Sequence, residues 1–352
     1  MNIPNRYPLL CGTDTSGVVS NLILKKILEA GKKRNKPYGD DSFTELASVQ
    51  FKKIFKNENL DIIPMISGTA SNAFALSLMT KENDYVICHK KAHILTSECG
   101  APHFFNSGIK LIALSSNDGK LNASLINNCL KNNFDKNIVG ISVSQLSENG
   151  TNYSIESLKN IGDICKKNKL FFHMDGARFS NALCSLKVTP DEMTWKLGLD
   201  CLTIGATKNG AFAAEAIIFF NKKKKYNYKF PQKRSGHVLA KTKFISSQFI
   251  AWLEDDHWLK LANKSNNNAK LFKKHIDQNK NFKILFPIDG NEVFVQVNKL
   301  YYQKILSQNI FPKFWSNEKK NSVILRFVFS FDFTKKDLKN LISRINDIKI
   351  NY

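Results

Sequence analysis

Between residues 61 and 220, short apolar runs alternate with segments of helical periodicity, and this alternation limits the possible folds more than any other feature of the chain. Apolar runs of about four to eight residues read as strands buried on both faces. They are IIPMI at 62–66, YVICH at 85–89, IKLIAL at 109–114, NIVGISVS at 137–144, LFFHMD at 170–175, CLTIG at 201–205 and EAIIFF at 215–220. Helical patterns fill the gaps, notably at 70–80, 154–168 and 177–187. Strands and helices in turn predict an α/β fold: three layers around a mostly parallel, doubly wound sheet. Two further helical patterns, at 18–31 and about 43–56, precede it across a turn-rich stretch from Pro37 to Ser42. After about residue 240 the texture changes. A long helical stretch at 240–278 leads to strands near 282–286, 291–297 and 323–329, and to a closing helix at 334–347. The expected organisation is therefore an arm (1–13), a large domain (14–245) and a smaller C-terminal α/β domain (246–352).

The charge needs separate treatment, because a formal +22 can signal a nucleic-acid partner. The 52 basic residues are spread along the chain, with Lys222 to Lys225 the only dense run. Only Arg6, Arg34, Arg178, Arg234, Arg326 and Arg344 are arginine. Proteins that read nucleic acid lean on arginine forks and interleaved aromatics. The lysine excess thus reads as a compositional bias, and a basic nucleic-acid-binding protein on an inactive enzyme fold is a distant alternative. Where the chain keeps arginine, a bidentate contact is a ready explanation. No apolar run approaches the roughly 18 residues of a membrane span. The start, MNIPNRYPLLCGTDTSG, does not read as a signal peptide, so a cytoplasmic protein is expected. Seven scattered cysteines without a C-x-x-C pair argue against a disulfide framework or a zinc site.

Four segments follow predicted strands, where ligands gather in open α/β sheets. Ser67-Gly68-Thr69-Ala70-Ser71-Asn72 opens a helix, so it reads either as an anion cradle suited to phosphate or as a plain helix cap. Asp175, in HMDGAR, ends an apolar strand, where an acid needs a partner. That partner is either a protonated ring nitrogen of a cofactor or the start of the next helix, and Arg178 lies within reach of the same pocket. Lys208, in ATKNG, stands between the nearly uncharged stretches CLTIGAT and GAFAAEAIIFF. Partial burial there favours the neutral, nucleophilic amine that forms Schiff bases, whereas most lysines are solvated surface groups. His93, in CHKKAHI, is by itself either structural or part of the site.

With these motifs the chain resembles the threonine aldolase family of fold-type-I pyridoxal-phosphate enzymes, a group sometimes placed with the β-eliminating lyases. The likeness runs from about Asp14 to about Asp332. It is carried by YGDDSFTELA at 38–47, SGTASNAFAL at 67–76, AHI at 92–94, HMDGARFSNAL at 173–183 and GATKNGAFAAEA at 205–216, with NEVF at 291–294 and LRFVFSF at 325–331. The resemblance implies pyridoxal 5′-phosphate held by Lys208 as a Schiff base, with Asp175 on the ring nitrogen. It further implies Gly68 and Thr69 at the phosphate and His93 stacked on the ring. Arg178 and Arg326 would bind the substrate carboxylate, and Arg234 would reach a phosphate in a neighbouring subunit. A homodimer or homotetramer with shared active sites follows, as does cleavage of L-threonine, L-allo-threonine or other β-hydroxy amino acids to glycine and an aldehyde. The alternative on the same cofactor is β-elimination. One departure stands out. Many family members carry a histidine in the loop that aligns near 141–150, where this chain reads ISVSQLSENG. The base for the β-hydroxyl must then be His93, a water or another group, with Glu148 and Gln145 placed near the site by that loop.

Overall fold

All seven apolar runs become strands of one sheet. The computed structural model describes residues 7–105, 108–221, 227–319 and 321–349, so the Lys222 to Lys225 run lies outside the described residues. Its strands are β1 Leu9–Leu10, β2 Asp61–Met65, β3 Tyr85–His89, β4 Lys110–Leu114, β5 Ile138–Ser144, β6 Phe171–Gly176 and β7 Cys201–Gly205. There follow β8 Glu215–Phe219, β9 Lys283–Ile284, β10 Glu292–Asn298, β11 Ile310–Phe311, β12 Lys313–Lys319 and β13 Ser322–Val328.

The large sheet has the order β2-β8-β7-β6-β5-β3-β4. Strands β3 to β7 pair in parallel. Strand β8 runs antiparallel to both β7 and β2. The reason is chain length: segment 206–214 is shorter than the roughly dozen residues a parallel crossover needs. Every residue of β6, β7 and β8 is buried, which is why these strands read as mostly apolar runs. Helices Gly68–Met79, Ile155–Asn168 and Phe179–Leu186 occupy the expected gaps.

The long helix expected over 240–278 is two helices, Lys243–Leu253 and His257–Ile276. Between them Asp255 and Asp256 take left-handed backbone, at φ +49° and +55°. Aspartate tolerates that region better than most side chains, and three consecutive acids suit the start of a helix. Periodicity across 240–278 hid this break. The buried side chains of Lys243–Leu253, with Trp258, join the core around the large sheet. Ala269, Phe272 and Ile276 join a second core with Val293, Val295 and Phe327.

That second core packs under an antiparallel sheet of order β12-β13-β10-β9. Helix Lys299–Ser307 and strands β11 and β12 were not expected from the sequence. Strand β11 pairs in parallel with β1, Leu9 opposite Ile310 and Leu10 opposite Phe311. The N-terminal segment is thereby stitched into the second core, where Leu9 and Cys11 are buried. None of the seven cysteines is in a disulfide; five are buried, Cys184 is half-buried and Cys99 is exposed. Among the described residues no helix is long and apolar enough to cross a membrane.

Candidate active site

The parallel strands β3, β5, β6 and β7 release their chains at one end of the sheet, and a cavity of about 520 Å³ opens there against the small sheet. It brings together Gly68, His93, Asp175, Arg178, Lys208 and Arg326. Thr69 is half-buried in the first turn of its helix and is not on the cavity lining. Arg234 ends helix Lys229–Arg234, exposed and away from the cavity.

Lys208 is half-buried in the tight turn Thr207–Asn209 after β7. Its neighbour Asn209 anchors that turn. The Asn209 amide donates to Ser180 Oγ (3.0 Å) and to the Trp258 carbonyl (2.9 Å), and its carbonyl accepts from Trp252 Nε1 (3.1 Å). Gly210 closes the turn at φ +95°, and a Cβ there would meet Leu261 Cδ1 at 2.7 Å. The positive φ is what favours glycine in ATKNG.

Asp175 lies between Ser144 on β5 and Thr203 on β7. Its Oδ2 accepts from Asn72 Nδ2 (3.0 Å) and its Oδ1 from the Ala177 N–H (3.0 Å). Each carboxylate oxygen keeps a further lone pair for a ring N–H. Asn72 also donates to Glu98 Oε1 (2.8 Å) and accepts from Thr203 Oγ1 (2.6 Å). It is therefore the buried bracket of the site, and the sequence signalled it only as part of the helix opening. His93 pairs through Nδ1 with Glu98 Oε1 at 2.8 Å. That hydrogen bond raises the imidazole above its usual range against the opposing effect of burial. His93, Glu98 and Asp175 could each direct a ligand atom to one metal ion. Asn72 already supplies a hydrogen to both carboxylates, and His93 gives Glu98 Oε1 a second contact.

The two arginines differ. Arg178 makes the bidentate contact foreseen for a fork, but to the chain's own Asp14: Nε to Oδ2 at 2.8 Å and a terminal nitrogen to Oδ1 at 3.0 Å. Its other terminal nitrogen lies 3.4 Å from Glu292 Oε1. Burial opposes ionisation of Asp14, yet the charges of Arg178 and Lys208 hold its carboxyl below the usual range. Arg326 donates to Glu292 Oε1 and to the Gly12 carbonyl, both at 3.2 Å, and stacks over Trp315 at 4.9 Å. Its buried Nε has no partner among the described residues. Asp14 and Glu292, more than 270 residues apart in the chain, carried no local signal.

At the helix start, Ser67 Oγ accepts from the Ala70 N–H (3.2 Å), so the segment is a helix cap. Gly68 beside it still lines the cavity, in the first turn whose N–H groups have no helical partner. Glu215 approaches the same turn, and burial pushes its carboxyl up to about 7.

An amine, an acid with spare lone pairs, a helix start and a guanidinium thus converge on one cavity. This donor set fits a flat, phosphorylated pyridine aldehyde and an amino-acid carboxylate. The family described as Beta-eliminating lyase matches residues 12–300. The low specificity L-threonine aldolase of Pseudomonas sp. (strain NCIMB 10558) is 38% identical over 275 residues, which span 77% of this chain and 79% of that one. The protein of the same description from Pseudomonas aeruginosa is 37% identical over the same shares. A Leishmania major threonine aldolase structure superposes with a TM-score of 0.90 at 26% identity, covering 95% of this chain and 98% of that one. The chain therefore belongs to the beta-eliminating lyase family.

Proposed function

We propose that this protein is a pyridoxal-phosphate-dependent aldolase that cleaves L-threonine or L-allo-threonine, and related β-hydroxy amino acids, to glycine and an aldehyde. The observation that carries the reading is the meeting of half-buried Lys208, Asp175 and the Arg326 guanidinium on one cavity. The two Pseudomonas relatives bear the same activity in their descriptions. The cofactor is pyridoxal 5′-phosphate. When bound, it supplies a covalent anchor for the substrate amine and a conjugated ring that draws off the electron pair of the broken Cα–Cβ bond.

The chain's own residues would divide the remaining work. Lys208 would hold the cofactor and give way to the substrate amine. Asp175 would accept the ring N–H, Gly68 would stand at the phosphate, and His93 would lie against the ring face. Arg326 would take the substrate carboxylate. Arg178, braced by Asp14 and Glu292, would set the edge of that corner. A carboxylate fixed there orients the Cα–Cβ bond, and orientation of this kind contributes a large part of a barrier.

The test is product analysis of the protein with pyridoxal phosphate and L-threonine. Glycine and acetaldehyde in equal amounts are expected; ammonia and a keto acid instead would show β-elimination and overturn the aldolase reading.

The same reading makes the protein a homo-oligomer with shared sites. Arg234 does not reach the cavity of its own chain, so a phosphate contact requires a second copy. Apolar side chains exposed on helices Asn21–Lys32 and Ser42–Phe55, among them Leu28 at 65% and Val49 at 54%, supply surface for such a contact. Light scattering should return at least twice the 40.0 kDa chain mass; a monomer would remove the role given to Arg234. The unpaired cysteines suit the reducing cytoplasm, where this reading places the protein.

A further inference from the structure

Cleavage of a β-hydroxy amino acid needs an acceptor for the β-hydroxyl proton, and none of the residues assigned so far is suited to it. Gln145 is fully committed: Oε1 accepts from the Tyr153 N–H (2.9 Å) and Nε2 donates to the Tyr153 carbonyl (3.1 Å). His93 already spends Nδ1 on Glu98 Oε1 at 2.8 Å, a hydrogen bond that raises its imidazole above the usual range. Three carboxyls line the cavity: Asp175, Glu292 and Glu148. Asp175 is bracketed by Asn72 and the Ala177 N–H, and Glu292 Oε1 is engaged by the guanidinium groups of Arg178 and Arg326.

Glu148 is different. It stands in the loop after β5, half-buried, on the wall it shares with His93 and Ser144. Two hydrogen bonds fix it, from the His93 N–H at 2.9 Å and from Ser144 Oγ at 2.6 Å. Both end on Oε1, so neither donor holds Oε2. A carboxylate gripped by one oxygen, with the other not engaged by those donors, is placed to take a proton from a substrate in the cavity.

We propose that Glu148 is the catalytic residue that accepts the β-hydroxyl proton. The assignment rests on the aldolase reading. The O–H bond breaks toward a Glu148 oxygen as the carbonyl of the aldehyde forms and the Cα–Cβ bond breaks. The bond pair stays on Cα, where a proton replaces the lost carbon to complete glycine, so atoms and charge balance without an added reactant. Enclosure in the cavity wall pushes the Glu148 carboxyl up to about 7, which matches its basicity to neutral solution. The groups that face it are Cys88 on β3, Lys91 and His93 after that strand, Tyr153 beyond the loop, and Asp175 at the end of β6.

The test uses the full chain loaded with pyridoxal phosphate and the Glu148→Gln variant, which keeps the acceptor for His93 and Ser144 but removes the base. Two reactions are compared: threonine cleavage, and exchange of the glycine α-proton with deuterated solvent followed by NMR, which involves no β-hydroxyl. The variant should bind the cofactor with an unchanged visible spectrum and exchange glycine within about threefold of the parent. Cleavage should fall by about 10²- to 10⁴-fold. In the parent, kcat/KM for threonine should fall as pH drops through about 7, where Glu148 becomes protonated. That limb should be missing from the residual activity of Glu148→Gln, and Glu148→Asp should recover part of the rate. Cleavage within about threefold of the parent, or glycine exchange lost in step with cleavage, would overturn the assignment. A parent that exchanges glycine but cleaves no β-hydroxy amino acid would overturn the aldolase reading, and Glu148's role with it.

Discussion

Lys208→Ala is expected to abolish the visible absorption of protein-bound pyridoxal phosphate and to lower threonine cleavage by about 10⁴-fold or more. The size of the effect follows from the chemistry. Only a covalent link through the amine places the reacting carbon against the ring, and no neighbouring group replaces a missing nucleophile. Two other lysines line the cavity, and they define the outcome that would sink the idea. Lys91 donates to Asn149 Oδ1 at 3.0 Å, and Lys313 is exposed on β12. If the absorption persists in Lys208→Ala, one of these carries the cofactor and the assignment fails. The fold should survive. Lys208 is half-buried, and the bonds that hold its turn belong to Asn209. A urea midpoint within experimental error of the parent is the expected control, and a large drop would mean that the activity loss reports unfolding.

Asp175→Asn is expected to retain the Lys208-linked cofactor but to lower kcat by about 10²- to 10³-fold. An amide cannot balance the positive charge of a protonated ring nitrogen, so the ring would withdraw electrons less strongly. The local structure should also register the change. Asp175 accepts from Asn72 on one oxygen and from the Ala177 N–H on the other. An amide offers one acceptor and two donors, so one of these bonds becomes donor against donor. Turning the Asn72 side chain to repair it would break its bonds to Glu98 and Thr203. A stability loss of about 1–3 kcal/mol is expected from this mismatch. Kinetics and denaturation together check the prediction. An unchanged kcat would take Asp175 away from the ring nitrogen, and loss of the absorption band would give it a role in holding the cofactor.

Much of the architecture was legible one segment at a time. Strands β6, β7 and β8 are buried on both faces, so each is a largely apolar run, visible without knowledge of its neighbours. The glycine of ATKNG answers an equally local demand, the positive φ of Gly210, though the sequence alone did not mark it as a turn. Legibility failed where local signals conflicted. The apolar periodicity of 240–278 ran straight through Glu254-Asp255-Asp256, and the backbone followed the acids. It failed again at β11 and β12, because a two-residue strand such as β11 exists only through its partner near the other end of the chain.

The site divides in the same way. The amine of Lys208 and the helix opening at Gly68 follow strands and the acid of Asp175 stands at the end of one, and the sequence by itself determined that all three would gather at one end of the sheet. Only the tertiary structure decided what each side chain would meet there. It committed the Arg178 fork to Asp14, left Nε of Arg326 unpaired, put Asn72 between two carboxylates and turned Glu148 toward the cavity. Strand and turn propensities are written in adjacent residues, whereas the partner of a buried charge is whichever group the folded chain brings within about 3 Å. Asp14 and Arg178 lie 164 positions apart, so their pairing exists only once the sheet and both cores have formed.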